Sequence, residues 1–180
     1  TKYPGVIYAW DVVNEAVGDG GDFKSDDKSH IRTTRSGTKN LFYETIGRDY
    51  VKYAFKYAYD CVKENGYDIT LFYNDYNTFQ YAKRTAICNL VNEINAKDKI
   101  NPDGSKLCQG IGMQCYVGGY GTQSGCMNKG DIYAIKETIE IFGNMDLQVH
   151  ITEMAVRNYQ KDPASIASHA EFYASIAKML

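Results

Sequence analysis

The stretch Tyr8-Ala9-Trp10-Asp11-Val12-Val13-Asn14-Glu15-Ala16 decides how this chain is read. A short apolar strand ends abruptly in two polar residues, Asn14 and Glu15, and a long hydrophilic segment follows. A carboxylate at the C-terminal tip of a buried parallel strand is where βα-barrel enzymes keep their chemistry. A second tip of this kind lies far downstream, where Leu147-Gln148-Val149-His150-Ile151-Thr152 runs into Glu153. Two strand-end glutamates point to acid/base work on one bond.

Working outward, Val6 to Val13 reads as a strand of the near-continuous apolar type that parallel sheets bury on both faces. Gly18 to Asn40 is rich in Gly, Asp, Ser, Lys and Thr and reads as a long polar loop able to shape a substrate groove. From Leu41 to Asn65 the period becomes helical, with Val51, Ala54, Phe55, Ala58, Cys61 and Val62 on one stripe and Asn65-Gly66 as the stop. Ile69 to Tyr73 is a second strand, polar at its tip through Asn74, Asp75, Tyr76 and Asn77. A helix over Phe79 to Ala96 follows, with Ala82, Ala86, Leu90, Val91 and Ile94 inward. Cys108 to Gln114 is a third strand, whose glycines leave room inside a crowded barrel. A helix over Asp131 to Phe142 leads to the strand that carries Glu153. Asp162-Pro163 caps a last helix running to Leu180.

Strand and helix thus alternate four times, which argues for parallel βα units with right-handed crossovers. No dinucleotide fingerprint follows any strand. Polar residues sit at the strand tips instead, so the fold class is α/β, a (β/α)8 TIM barrel of which this chain supplies about four βα units. Residues 1–180 read as one partial catalytic domain. The start at Thr1-Lys2, almost directly inside a strand, reads as a piece of something longer.

Composition narrows the partner. A formal net charge of -2 gives no electrostatic case for nucleic acid or an anionic membrane surface, and no apolar run is long enough for a transmembrane helix. The 16 Tyr, 7 Phe and 1 Trp are suited to stacking on sugars, although packing between helix and sheet accounts for most such rings. Five cysteines (Cys61, Cys88, Cys108, Cys115, Cys126) include no C-x-x-C pair and no His at metal-ligand spacing. Cys61 and Cys88 fall on apolar helix faces, and a Cys115–Cys126 bridge across the glycine-rich loop is one option that spacing leaves open.

Glycosidic cleavage needs one carboxylic acid to protonate the leaving oxygen and one carboxylate on the opposite face of the sugar. In the retaining case the two stand about 5–5.5 Å apart. Glu15 and Glu153, on different strands of one rim, suit that requirement. Strand parity places Val149, Ile151 and Glu153 on one face and His150 and Thr152 on the other, which puts His150 under the helix layer.

Four ordered motifs carry a more specific likeness. Trp10 to Ala16, Tyr73-Asn74-Asp75-Tyr76-Asn77, Gly110-Ile111-Gly112-Met113-Gln114 and Ile151-Thr152-Glu153 closely resemble the strand-end motifs of family-10 glycoside hydrolases, the endo-β-1,4-xylanases. Tyr43 to Val51 also looks like that family's fourth barrel helix. The resemblance covers essentially the whole chain and matches the fourth to seventh βα units of the barrel. It implies a retaining xylanase with Glu15 as general acid/base and Glu153 as nucleophile. Asn14 would bond the 2-hydroxyl of the attacked sugar, Gln114 would line the same subsite, and Tyr76 would stack on the sugar just beyond the cleavage point. No cofactor or metal is implied. The partners would be xylan and xylo-oligosaccharides, together with the remaining barrel segments, and a polymeric substrate implies an extracellular, secreted protein.

Two departures accompany the likeness. Where the family has a small residue and then His after Gly-Met-Gln, this chain has Cys115 and Tyr116. Where it has an apolar residue and then Asp after Thr-Glu, this chain has Met154 and Ala155. Parity places Tyr116 on the Gln114 face and Ala155 on the Glu153 face. The Tyr116 ring would fill the space left by the shorter Ala155, and its hydroxyl would donate to Glu153. The second departure is length, since a full barrel takes roughly 250 residues. Two other readings stand beside the leading one: a catalytically weakened xylan-binding module, and a β-1,4-glucanase of a related barrel family.

Overall fold

The computed structural model describes residues 5–19, 26–118 and 127–180. Four parallel strands form one sheet in the order β1 (Ala9–Asn14), β4 (Thr70–Tyr76), β5 (Gly110–Val117), β6 (Gln148–Val156). Among the described residues five helices accompany them: α1 (Leu41–Ile46), α2 (Tyr50–Asn65), α3 (Tyr81–Asn95), α4 (Lys129–Asn144) and α5 (Pro163–Met179). The polar segment after Glu15 is not wholly irregular. It carries a small antiparallel hairpin, β2 (Thr34–Arg35) and β3 (Thr38–Lys39), and a bridge between Val17 and Ile31.

Local chemistry sets the boundaries. The long helix expected from Leu41 to Asn65 is two helices, because Gly47 at φ 86 breaks the ladder. The Asn40 side chain caps α1 by accepting from the Phe42 and Tyr43 amides. Gly66, at φ 62, closes α2 by donating its amide to the carbonyls of Lys63 and Val62. Asp162 caps α5 through the Ser165 amide, with Pro163 in the first turn.

The core lies between the central strands and the helices. Leu71 and Tyr73 of β4 and Ile111, Met113, Cys115 and Val117 of β5 are buried, as are Ile87, Leu90, Val91 and Ile94 of α3. Ala82, expected inward, is exposed, and Ile87 fills that part of the α3 face. Cys61, expected on the apolar stripe of α2, is exposed too, while Ala58 and Val62 on either side of it pack against the core. Cys115 is a buried free thiol pushed up to about 12 by burial. Cys126 lies outside the described residues.

The first strand departs from the burial expected of it. Tyr8 is 69% and Trp10 53% exposed, because β1 has a neighbour on one side only among the described residues. An open half-barrel leaves a strand edge uncovered.

On the lumen side the two glycines of β5 are obligatory. A Cβ at Gly110 would lie 2.3 Å from the Phe72 ring, and one at Gly112 would lie 2.2 Å from Asn74 Oδ1 and 2.9 Å from Thr152 Cγ2. Below them the Phe72 ring stacks on His150 with centroids 4.3 Å apart. His150 therefore faces the lumen and not the helix layer. Simple parity fails because β6 carries a bulge: Gly112 pairs with His150 and Gln114 with Glu153, so three residues of β6 answer two of β5. The extra residue brings both Thr152 and Glu153 to the lumen. A matching irregularity in β1, between Asp11 and Val13, does the same for Asn14, which pairs with Asn74.

Candidate active site

The strand tips converge on one cleft of about 430 Å³, lined by Glu15, Asp19, Arg32, Ser36, Tyr76, Gln114, Tyr116 and Glu153. Five of the six site residues expected from the sequence line it. The sixth, Asn14, borders it through a hydrogen bond to Gln114.

Glu15 follows directly on β1 with φ 57, a left-handed backbone that costs a non-glycine residue about 1–2 kcal/mol. Its amide donates to the Asn74 carbonyl at 2.8 Å, which fixes where the strand ends. The Gln114 amide nitrogen donates to Glu15 Oε1 and to Asn14 Oδ1, both at 3.1 Å. Asn74 also donates to Asn14 Oδ1 at 2.9 Å and accepts from the Thr152 hydroxyl at 2.6 Å. These contacts tie all four strands of the sheet into one polar belt. Because Asn14 Oδ1 already accepts two bonds, its side-chain amine is the group it has to offer a ligand.

Across the cleft Glu153 is exposed and accepts a hydrogen bond from the Tyr116 hydroxyl at Oε2. Ala155 pairs with Tyr116, and Glu153 with Gln114, so both replaced positions lie at the site.

Tyr76 is fixed at both ends. Its hydroxyl donates to Asp19 and accepts from Arg32, and the Lys83 ammonium stands 4.4 Å from its ring centroid. Burial, followed by the bond to Asp19, pushes the phenol up to about 12. Burial also works to raise Asp19, but the bond from Tyr76 and the charges of Lys83 and Arg32 outweigh it and hold that carboxyl below the usual range.

A half-open cleft with two carboxylates and amide donors between them can hold an uncharged, hydroxyl-rich ligand. Among the described residues no group of three His, Cys, Asp or Glu is placed to hold a metal ion, and no helix is long and apolar enough to cross a membrane.

Residues 1–180 match the family described as "Glycosyl hydrolase family 10" along their whole length. The chain belongs to glycosyl hydrolase family 10. It is 35% identical to a protein of Caldicellulosiruptor saccharolyticus, across 99% of this chain and 50% of that one. It is 36% identical to endo-1,4-beta-xylanase B of Butyrivibrio fibrisolvens, across 94% of this chain and 21% of that one. Among solved structures it resembles a psychrophilic family 10 endo-beta-1,4-xylanase with TM-score 0.72 and 27% identity, covering 97% of this chain and 47% of the other. The family 10 xylanase from Bispora sp. MEY-1, solved with xylobiose, gives TM-score 0.66 and 29% identity over 96% of this chain and 44% of the other. The chain thus spans half or less of the proteins it matches, and its four βα units are part of a (β/α)8 barrel.

Several groups at this family 10 site carried no role in the sequence reading. Asn74 and Thr152 sit at strand tips and were legible as polar ends, although not as a chain in which Thr152 bonds Asn74 and Asn74 bonds Asn14. Arg32 and Asp19 lie in the segment read as loop. Lys83 falls in the first turn of α3, with no spacing signal to tie it to Tyr76.

Proposed function

We propose that this chain carries the two catalytic carboxylates of a secreted, retaining endo-β-1,4-xylanase, with Glu15 as general acid/base and Glu153 as nucleophile. The observation that supports it most is that both carboxylates line one cleft, with Gln114 bonded to Glu15 and paired in register with Glu153. In the first step Glu15 gives its proton to the departing glycosidic oxygen while Glu153 attacks the anomeric carbon, forming a xylosyl ester. In the second step Glu15 takes a proton from water, whose oxygen attacks the same carbon and releases Glu153. Asn14 donates its side-chain amine to a hydroxyl of the sugar under attack, Gln114 lines the same subsite, and Tyr76 presents its ring beyond the cleavage point. Tyr116 orients Glu153, and no metal or cofactor takes part.

The names of the relatives favour xylan and xylo-oligosaccharides over β-1,4-glucans, and a polymer that cannot enter a cell requires action outside it. The remaining barrel units come from the same polypeptide or from another chain. In support, a groove of about 530 Å³ beside β1 has a largely apolar wall from Val12, Val13, Phe42, Ile46, Tyr53 and Tyr57, with Glu15, Arg32 and Lys39 on its polar side, a lining that a further barrel unit would cover.

One observation favours a second reading. Tyr116 and Ala155 stand at this site where the family has His and Asp, a change expected of a domain that binds xylan and turns it over slowly. Incubation with a dinitrophenyl 2-deoxy-2-fluoro-xylobioside, followed by mass spectrometry, separates the two. A disaccharide adduct on the Glu153 peptide supports the hydrolase. Binding of xylo-oligosaccharides without an adduct supports the binding module, and neither adduct nor binding overturns both.

A further inference from the structure

On the face of β4 opposite the cleft lies a group of buried ionisable side chains, of which Lys83 also reaches the Tyr76 ring and Asp19 at the edge of the cleft. Tyr73 and Asp75 are fully buried and Lys83 is 3% exposed. The Tyr73 hydroxyl donates to Asp75 Oδ2 and accepts the Val17 amide at 3.0 Å. Asp75 Oδ1 lies 3.1 Å from the Lys83 ammonium and accepts the Tyr76 amide at 2.9 Å. Lys83 in turn donates to the Val17 carbonyl at 2.7 Å, and Arg32 Nε donates to the same oxygen at 2.9 Å. Both polar main-chain groups of Val17 are therefore held by buried side chains from two other elements.

Such an arrangement is a poor way to gain stability. Desolvating a lysine and an aspartate costs several kcal/mol per ion, and a packed apolar substitute is often as stable. Its effect is geometric. Val17 is two residues from Glu15, whose left-handed backbone would relax if released, and the Asn74 carbonyl holds that residue from the other side. The segment from Asn14 to Val17 is pinned at both ends, with the carboxyl of Glu15 between the pins.

We infer that Tyr73, Asp75 and Lys83 form a positioning clamp for Glu15, acting through the main chain of Val17 to aim its carboxyl at the leaving-group oxygen. The inference rests on Glu15 being the acid/base. The three residues touch no reacting atom, so they are positioning residues. A displacement of about 1 Å at a catalytic group costs about 100-fold in rate. The loss should fall only on steps that need the Glu15 proton.

The test compares two aryl xylobiosides in the intact protein. Phenyl xylobioside needs a proton on its leaving oxygen, whereas dinitrophenyl xylobioside releases a phenolate that departs without one. Tyr73→Phe removes the acceptor of the Val17 amide with little change in volume. It should lower kcat/KM on the phenyl substrate by about 10- to 100-fold and leave kcat/KM on the dinitrophenyl substrate within about threefold of wild type. Azide, which attacks the xylosyl ester without a base, should raise turnover of the variant on the dinitrophenyl substrate and yield xylobiosyl azide. Equal losses on both substrates, or none on either, would overturn the clamp.

If Tyr73→Phe does not fold, Lys83→Gln keeps a donor at that position while removing the charge; its contacts with Tyr76 and Asp19 add an equal loss on both substrates, and the phenyl substrate should still lose about 10- to 100-fold more than the dinitrophenyl one. Burial already pushes the Asp75 carboxyl up, so it can take a proton when Lys83 is gone. If the wild-type protein cleaves neither substrate, the catalytic reading has failed, and the clamp is then read by amide hydrogen exchange. Faster exchange at Glu15 and Val17 in Tyr73→Phe, with α3 unchanged, supports it; unchanged exchange at both overturns it.

Discussion

Thr152 and Glu153 are neighbours on β6, yet both reach the lumen, Thr152 through its bond to Asn74 and Glu153 through the bond it accepts from Tyr116. The bulge that allows this depends on the narrow space left by Gly112. A Cβ at that position would meet Asn74 Oδ1 at 2.2 Å, so Asn74 has to move and the polar belt from Thr152 to Asn14 has to open. Gly112→Ala should cost about 1–3 kcal/mol of stability, the usual range for overpacking. It should also weaken binding of xylo-oligosaccharides. Urea unfolding and calorimetric titration check the two effects, and a variant with unchanged midpoint and affinity would show that the belt accommodates a methyl group.

Tyr116 supplies a neutral donor to the carboxylate proposed as nucleophile. A hydrogen bond to a charged group is worth about 1.5–3 kcal/mol, so Tyr116→Phe should lower kcat about 10- to 150-fold if the bond aims Glu153. Because the ring stays, KM should change little. If the bond instead withdraws charge from Glu153, the same variant will turn over faster. Steady-state kinetics on an aryl xylobioside distinguish the two, and an unchanged rate would remove Tyr116 from the mechanism.

Much of this arrangement was legible before the fold. The strand tips at Glu15, Tyr76, Gln114 and Glu153 all reach one cleft, because the C-terminal ends of parallel strands share one edge of the sheet, which in a barrel is the rim that carries the chemistry. The bulges were not legible. An extra residue leaves no mark in composition, yet it reverses every later side chain, which is why a strict period of two put His150 on the wrong face. Burial of the first strand was also misjudged, since apolar content tells what a strand seeks to cover and not whether its neighbour is present. The Lys83 contacts escaped because a helix residue and a strand residue meet there through tertiary packing alone.

Asn14 offers a sharper probe of the binding subsite. Its Oδ1 accepts from Asn74 and Gln114, which leaves its side-chain amine for the sugar. Asn14→Asp keeps the shape and both accepted bonds but replaces the donor with a carboxylate oxygen. It should lower kcat/KM by about 2- to 12-fold, the range set by losing one neutral hydrogen bond. A substrate lacking the 2-hydroxyl should show little difference between variant and wild type. If the variant loses activity equally on both substrates, Asn14 acts through Glu15 and not through the sugar.

Far from the cleft, the loop after α3 carries an acid-sensitive contact. Asp98 accepts from the Lys52 ammonium at 2.8 Å and from the amides of Ile100 and Asn101 at 2.8 and 2.9 Å. The bond from Lys52 is the largest influence, and together they hold the Asp98 carboxyl at about 2. Lys52 also donates to the carbonyls of Glu93 and Ala96, closing the end of α3 that an ammonium favours. A carboxyl depressed on folding contributes stability that is fully present above its unfolded value, about 3.9, and is lost as pH falls through its folded value. Asp98→Asn should therefore be less stable than wild type near neutral pH. The gap should narrow between about pH 4 and pH 2, as the wild-type carboxyl takes up its proton. Urea midpoints for the two proteins at several pH values test this: a gap that stays constant down to pH ~2 would mean that the loss does not come from the Asp98 charge, and no gap at any pH would mean that its amide bonds, which an asparagine oxygen can also accept, are all that matters.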